Sequence, residues 1–308
     1  MNLQDKSIET IGFSAVETRV GYPRVIGFLL LCVLPLILAW DSMRTFVALV
    51  AEDGTFSQAP LIPLVSVFLI YTDRKAIFSK ISFDWIPSVV TIIPGLIFVT
   101  LARLNPWALG AINQCSLLIF GIVLVWAGAF VLIFGASALR LARFPLVFLL
   151  FAVPIPEPIL SKLIIFLQEG SADAAGWFFK LAGIPYLRQD FVFVLPGLAI
   201  RVADECSGIR SSLALLITTI LAAHLFLGST WRRFLLCAVV VPLAVLKNGL
   251  RIMTLSSLAI YVNPEFMHGN LHRRGGFVFF AIALLPLVLL LSLLQKGEKT
   301  SAAKAESA

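Results

Sequence analysis

The chain has 308 residues, of which 59% are hydrophobic and 13% charged, with a net charge of +7. Mean hydropathy is +0.98. Soluble domains carry roughly 25% charged residues, so a soluble enzyme, a disordered chain and a disulfide-stapled secreted domain are excluded. An all-α polytopic membrane protein remains, with room for about eight spans of ~20 residues.

The segment 1–24 mixes acidic and basic residues, and no small-residue cleavage site follows the first apolar run. It reads as a cytoplasmic N-terminal segment before a permanent anchor, not as a cleaved signal peptide. Apolar runs then predict spans at 25–40, 59–71, 85–102, 115–136, 145–159, 209–228, 234–258 and 275–294, the second and fifth being short. From Gln295 the tail is polar and rich in Ala, Lys and Glu, the composition of a disordered cytoplasmic segment over 295–308. The expected organisation is one transmembrane domain, 25–294, between two cytoplasmic ends.

Basic residues orient these spans. Lys6, Arg19 and Arg24 precede the first; Arg74, Lys75 and Lys80 follow the second; Arg140 and Arg143 follow the fourth. Arg232 and Arg233 follow the sixth, and Lys296, Lys299 and Lys304 the eighth. With eight spans every cluster falls on one side, and the positive-inside rule puts both termini in the cytoplasm. No run of five or more Lys/Arg exists, so the charge is read as orientation and not as nucleic-acid binding.

Polar residues gather in the second half. Ile164 to Leu181 has apolar residues at helical spacing, with Glu169, Ser171 and Asp173 among them. It reads as an amphipathic helix at or re-entering the interface, before the sixth span. Phe191–Leu195 and Leu198–Val202 flank Pro196-Gly197 and read as a short extracytoplasmic β-hairpin.

Three groups that can carry chemistry converge on that extracytoplasmic face. The first is Asp204-Glu205-Cys206-Ser207-Gly208-Ile209-Arg210, at the start of span six. A cysteine at a helix N-terminus is biased towards thiolate by the macrodipole, and free N–H groups there can hold an oxyanion. Arg210 adds to that bias, while Asp204 and Glu205 oppose it. The plain alternative is a capping turn with a spectator thiol.

The second is Lys247-Asn248-Gly249-Leu250-Arg251, inside span seven. Asn248 and Arg251 share a helix face. An ionisable group within a span is a functional candidate. Arg251 lies 18 residues beyond Arg233, hence ~27 Å along the helix, near the outer edge of a ~30 Å core. Snorkelling would account for Lys247 or Arg251 alone, but accounts less well for Asn-x-x-Arg.

The third is His268-Gly269-Asn270-Leu271-His272-Arg273-Arg274-Gly275-Gly276, leading into span eight. Histidine is the natural proton carrier near neutrality, and chemistry alone does not separate His268 from His272. His224 lies 18 residues beyond Cys206 on span six, ~27 Å away, and reads as a packing residue. Cys32, Cys115 and Cys237 fall within or at the start of spans, where packing is their ordinary role. There is no Cys-x-x-Cys, His-Glu-x-x-His, glycine-rich phosphate loop or haem signature, so no metal and no cofactor is expected.

A thiol, an imidazole and a guanidinium at one membrane face form an apparatus for acyl transfer. In Glu205-Cys206-Ser207-Gly208-Ile209-Arg210, Asn248-x-x-Arg251-Ile252 and His272-x-x-x-Gly276 before an apolar span, the chain resembles the exosortase/archaeosortase family. The Leu195-Pro196-Gly197 turn before the cysteine fits as well. The resemblance covers roughly 145–292; the N-terminal half matches only as generic spans, and the chain looks like a minimal version without a fused domain.

The resemblance implies a membrane cysteine protease or transpeptidase with Cys206 as nucleophile, His272 as general acid/base and Arg251 as the orienting or oxyanion residue. His272 has the His-x-x-x-Gly spacing that His268 lacks. Supporting candidates are Glu205, Ser207, Gly208, Arg210, Asn248 and His268. The implied substrates are exported, membrane-anchored proteins whose C-terminal signal combines a short motif such as Pro-Glu-Pro, one transmembrane helix and a basic tail. The acceptor is left open. The implied location is a bacterial inner membrane with the active site outside the cytoplasm. Arg201, Arg210, Arg273 and Arg274 are charge-matched to an acidic motif residue.

The main rival is a polytopic transporter or polysaccharide-export protein, which an intramembrane arginine would also serve. Such a protein would show internal repeats and broken helices near the midplane. The sequence has no clear repeat, and its polar residues sit at one face.

Overall fold

A computed structural model describes residues 21–52, 54–202, 207–263 and 276–306. Helices dominate: α1 Tyr22–Leu38, α2 Trp40–Glu52, α3 Leu61–Thr72, α4 Arg74–Ile77, α5 Trp85–Leu104, α6 Ala111–Phe134, α7 Ala136–Leu141 and α8 Arg143–Phe148. Then follow α9 Glu157–Leu181, α10 Ile209–Phe226, α11 Thr230–Tyr261 and α12 Gly276–Glu306. Between α9 and α10 lie three short strands, β1 Leu187–Gln189, β2 Val192–Leu195 and β3 Leu198–Arg201.

Among the described residues, five helical stretches are long and apolar enough to cross a membrane: Trp85–Leu104, Ala111–Phe134, Ile209–Phe226, Thr230–Tyr261 and Val278–Thr300. The number reaches seven if each of two helix pairs interrupted by a break is one span, and the apolar α3 is shorter still. Eight is therefore an approximate count for a multi-pass architecture that is otherwise as expected. Val90, Ile97, Phe234, Leu285 and Leu289 are exposed on these helices, as lipid-facing side chains must be.

The fifth expected span, 145–159, is the main departure. There α8 gives way to a 3-10 turn, Leu149–Ala152, and α9 starts only at Glu157. Pro154 and Pro156 explain the break, since each disfavours helical backbone in the residue before it, whereas Pro158 sits in the first turn of α9, where a missing N–H costs nothing. Hydropathy registers an unbroken apolar run here, but the backbone cannot follow it. The amphipathic helix consequently starts earlier than Ile164 and is 25 residues long.

The chain divides into two compact units. One comprises the described residues among Met1–Met43, Ile62–Pro106 and Leu117–Leu150. Here α5 and α6 touch backbone to backbone: a Cβ on Gly95 would lie 2.8 Å from the Gly121 carbonyl oxygen, and one on Gly121 equally close to that of Gly95. Small residues at such crossings let dispersion act over the whole contact, which is how membrane helices associate without a hydrophobic driving force. Phe28, Phe78 and Phe130 close around Phe134, with ring centroids 5.5, 4.8 and 5.0 Å from it.

A polar latch joins the turns in this unit. The Asp84 carboxylate accepts the Ala136 N–H (2.7 Å) and the Ser82 hydroxyl (2.7 Å). The Ala136 bond and then the Ser82 bond hold its carboxyl below the usual carboxylate range; burial opposes this and Arg140 assists it. A depressed folded value stabilises the fold above the unfolded pKa of about 3.9, and that contribution is lost as pH falls through the folded value. Asp84→Asn is therefore expected to lower the melting temperature at pH 7 and to converge with wild type in acid. Thermal unfolding in detergent between pH 7 and 3 checks this; parallel curves would refute it.

The second unit comprises the described residues among Arg44–Leu61, Trp107–Ser116 and Phe151–Ala308. Its centre is α11, packed against α9, α10 and α12. Leu215 and Ala223 of α10, Leu236 and Val240 of α11, and Ala283 and Leu287 of α12 form one apolar cluster. The Glu298 carboxylate accepts the N–H groups of Gly228 and Ser229, tying α12 to the turn before α11.

A second cluster joins Ala172, Ala175 and Phe179 of α9 to Phe193, Leu195 and Ile200 of the sheet and Ile252 of α11. The sheet is antiparallel in the order β1-β2-β3, with Leu195 opposite Leu198. Pro196 and Gly197 occupy the turn, and Gly197 has φ +73°, the left-handed conformation a type II turn needs after proline. The hairpin is thus present, widened by β1, an all-exposed Leu-Arg-Gln strand that carries no alternating apolar signal.

Candidate active site

Cys206, His268 and His272 lie outside the described residues, as do Asp204, Glu205, Arg273 and Arg274. The site is therefore built from the elements that flank them. On the cysteine side, Val202 is the last described residue before the gap and Ser207 the first after it.

Val202 is held twice. Its N–H donates to the Phe191 carbonyl (2.8 Å), and its carbonyl accepts the Gln168 side-chain amide from α9 (2.9 Å). Gln168 is 4% exposed, so this bond forms away from water and fixes where the sheet hands the chain on. Beyond the gap, Ser207 is fully buried and its hydroxyl oxygen accepts the Ile209 N–H at 3.4 Å. Gly208 begins α10 as its N-cap in left-handed backbone, φ +75°.

The Gly208 turn rests on α11. A Cβ added to Gly208 would lie 2.8 Å from Asn248 Oδ1 and 2.9 Å from its Cγ. Asn248 is 1% exposed, and its Nδ2 donates to the buried Ser171 hydroxyl of α9 at 3.0 Å. Gly249, next on α11, sits where a Cβ would be 2.5 Å from that of Ala174. Three helices thus meet at one level, and small residues make the approach possible.

Two more polar links reinforce that level. The Lys247 ammonium donates to the Ser211 hydroxyl, which in turn donates to the Gly208 carbonyl (3.0 Å). The Ser212 hydroxyl donates to the same carbonyl at 2.8 Å. Lys247 is 4% exposed, so it does not snorkel to the headgroups. Arg210 is exposed, and its guanidinium occupies the space beside Gly54, where any Cβ would overlap it. The loop after α2, with Thr55, Phe56 and Ala59 buried, therefore docks against the first turn of α10.

Among the residues expected at the site, the structure brings together Ser207, Gly208 and Asn248. It places Arg251, half-buried, one helical turn beyond Lys247 on α11. Arg201 stands exposed at the end of β3. His224 is in the last turn of α10, at the opposite end from Gly208.

Gln168, Ser211 and Gly54 were not singled out by the sequence reading, and Ser171 was named only as a polar residue of the amphipathic helix. For Gln168 and Ser171 a signal existed: they are polar, three apart on one helix face, and Ser171 lies between Gly170 and Ala172. Arg210 at Gly54 is a long-range contact that no local pattern carries.

The positive end of the α10 dipole, Lys247 and Arg251 give this region a cationic character. Such a region can hold a thiolate or a developing oxyanion. The Arg188–Asp173 pair, at 2.6 Å and largely exposed, ties β1 to α9 and adds little stability.

The family model for transmembrane exosortases matches residues 40–289. No curated protein and no solved structure matches the chain.

Proposed function

The chain belongs to the transmembrane exosortase family, and on that premise we propose that it is a membrane-embedded cysteine protease or transpeptidase acting on C-terminal sorting signals. Cys206 is the nucleophile, His272 the general acid/base and Arg251 the cation that orients the scissile carbonyl and receives its developing charge. The Cys206 thiolate attacks the carbonyl carbon and forms a C–S bond. As the tetrahedral intermediate collapses, the C–N bond breaks and the departing amine takes a proton from the His272 imidazolium. The thioester is then cleaved by water or an acceptor amine, whose proton returns to His272.

The observation that supports this reading is the seat of the Ser207-Gly208 turn. The two residues directly after Cys206 are buried, and Gly208 lies against Asn248, one turn before Arg251 on α11. Covalent continuity keeps the Cys206 Cα within about 7 Å of that of Gly208. That bound supports assigning both roles to the junction of α10 and α11.

Both termini are cytoplasmic in this proposal, and the site faces outward from a bacterial inner membrane. A substrate carrying its own transmembrane helix is confined to the same bilayer, which raises its effective concentration at the site. Arg201, Arg210, Arg273 and Arg274 are the groups available to an acidic motif residue.

The test is reconstitution of the full chain in proteoliposomes with a model substrate bearing a Pro-Glu-Pro motif, one helix and a basic tail. A substrate shortened near the motif is expected, along with a hydroxylamine-sensitive acyl-enzyme. Intact substrate across varied motifs, with transport of a solute instead, would favour the transporter reading.

A further inference from the structure

We infer that Gln168 and Ser171 of α9 are positioning residues: from one face of that helix they hold the end of β3 and the start of α10 in the relation that the reaction requires. The inference rests on the sorting-enzyme reading of the chain. The two residues are three apart, so they share one side of α9 and stand about 4.5 Å apart along its axis. Both are buried, and their partners lie on different elements. The Gln168 amide donates to the carbonyl of Val202, just past β3 (2.9 Å). The Ser171 hydroxyl accepts the Asn248 amide of α11 (3.0 Å), and the Gly208 turn that opens α10 rests on that same Asn248.

Each bond decides a direction. In an antiparallel ladder a hydrogen-bonded pair exchanges two bonds. The Val202 N–H donates to the Phe191 carbonyl, so a continuing ladder would return the Phe191 N–H to the Val202 carbonyl. Among the described residues that return bond is not made; the carbonyl takes the Gln168 amide instead. A side chain of α9 thereby sets where the strand pairing stops.

Around Ser171 the helices leave little play. A Cβ on Gly170 would lie 3.0 Å from the Val245 side chain of α11, and one on Gly249 would lie 2.5 Å from the Cβ of Ala174. The Ser171–Asn248 bond is clamped between these two close approaches. Asn248 cannot follow α10 if that helix moves, and the Gly208 turn is seated against a fixed surface.

Stability alone does not call for polar groups at these positions. A buried hydrogen bond adds little net stability, because unfolding replaces it with bonds to water. Helices in a membrane associate through close contact of small residues, which Gly170, Ala174 and Gly249 already supply. Gln168→Met and Ser171→Ala keep nearly the same volume and so preserve most of the packing. What the polar partners add is a single arrangement: a satisfied buried network fixes one geometry among several of similar energy. Without it β3 and α10 are free to settle by part of an ångström, and a displacement of about 1 Å is enough to cost up to about 10²-fold in rate.

The test is steady-state processing of the model substrate by the full chain in proteoliposomes, with rates expressed per folded enzyme. Gln168→Met and Ser171→Ala are each expected to lower kcat about tenfold, with KM within about twofold of wild type. A purely structural role would show as a lower melting temperature and less folded protein, and would leave the rate per folded enzyme where it was. The two variants sit on different bonds, so either one carries the test where the other does not fold.

A wild-type kcat in the folded variants, or a loss carried by KM alone, would overturn the inference. A wild-type chain that leaves the substrate intact would instead remove the sorting-enzyme reading on which it rests, so the two failures are read from different arms of the same assay.

Discussion

Cys206→Ala is expected to abolish substrate processing, a loss of at least about 10³-fold, while leaving the amount of folded protein in the membrane unchanged. The size follows from the chemistry: without the sulfur no thioester forms, and what remains is substrate binding and electrostatic stabilisation. Removal of a nucleophile in comparable systems leaves only that residual acceleration. The folded amount should hold because the residues that anchor this stretch lie on either side of it. Val202 is fixed by Phe191 and Gln168, and Gly208 by Asn248 and the hydroxyls of Ser211 and Ser212.

The same assay divides the two histidines. His272→Ala is expected to lower processing by about 10²–10⁴-fold, the usual range for a general acid/base, with His268→Ala near wild type. The reverse result would transfer the proton-carrying role to His268. Immunoblotting of substrate maturation in cells, with the enzyme quantified in the same membranes, measures both outcomes. Processing that survives Cys206→Ala would end the thioester mechanism outright.

Much of the architecture was legible because burial in lipid simplifies the code. A helix that must satisfy every backbone group internally, and show apolar side chains outward, leaves an uninterrupted hydrophobic run of ~20 residues. Hence the third, fourth, sixth and seventh expected spans coincide closely with α5, α6, α10 and α11, while the eighth starts where α12 starts but the helix runs on to Glu306, through the segment from Gln295 that was read as disordered. The Pro196-Gly197 turn was legible for a different reason: only a few residues fit a left-handed position, so the sequence marks it plainly.

The illegible parts share a cause too. Hydropathy is blind to backbone geometry, so Pro154 and Pro156 broke a run that looked continuous. Pairwise contacts between distant segments leave no local trace. Asn248 was visible as a polar residue on the face of Arg251, but its bond to Ser171 and its contact with Gly208 appear only once α9, α10 and α11 are assembled. Lys247 shows the limit most clearly. Sequence alone allows a cation near the outer edge of a span to reach the headgroups, whereas its burial and its Ser211 partner turn it inward.

The second large effect is expected at that assembled junction. Gly208→Ala should lower processing by about 10²-fold and depress the melting temperature, through two separate causes. Left-handed backbone costs a residue with a Cβ roughly 1–2 kcal/mol. The new methyl would also stand 2.8–2.9 Å from the Asn248 amide group, which is buried and held to Ser171 and so has little room to retreat. The turn must shift instead. A displacement of about 1 Å at a nucleophile two residues away is enough for a loss of this order.

A double-mutant cycle with Asn248→Ala tests whether the shared contact is the cause. Asn248→Ala alone gives up the Ser171 bond and is expected to cost activity more moderately. If the clash dominates, the Gly208→Ala/Asn248→Ala pair will be more active than the product of the single losses predicts, because the shortened side chain makes room for the methyl. Strictly multiplicative losses would show instead that the backbone conformation of Gly208 acts alone, and that Asn248 serves the site by another route. In either case the melting temperatures of all three variants distinguish a displaced turn in a folded protein from general unfolding.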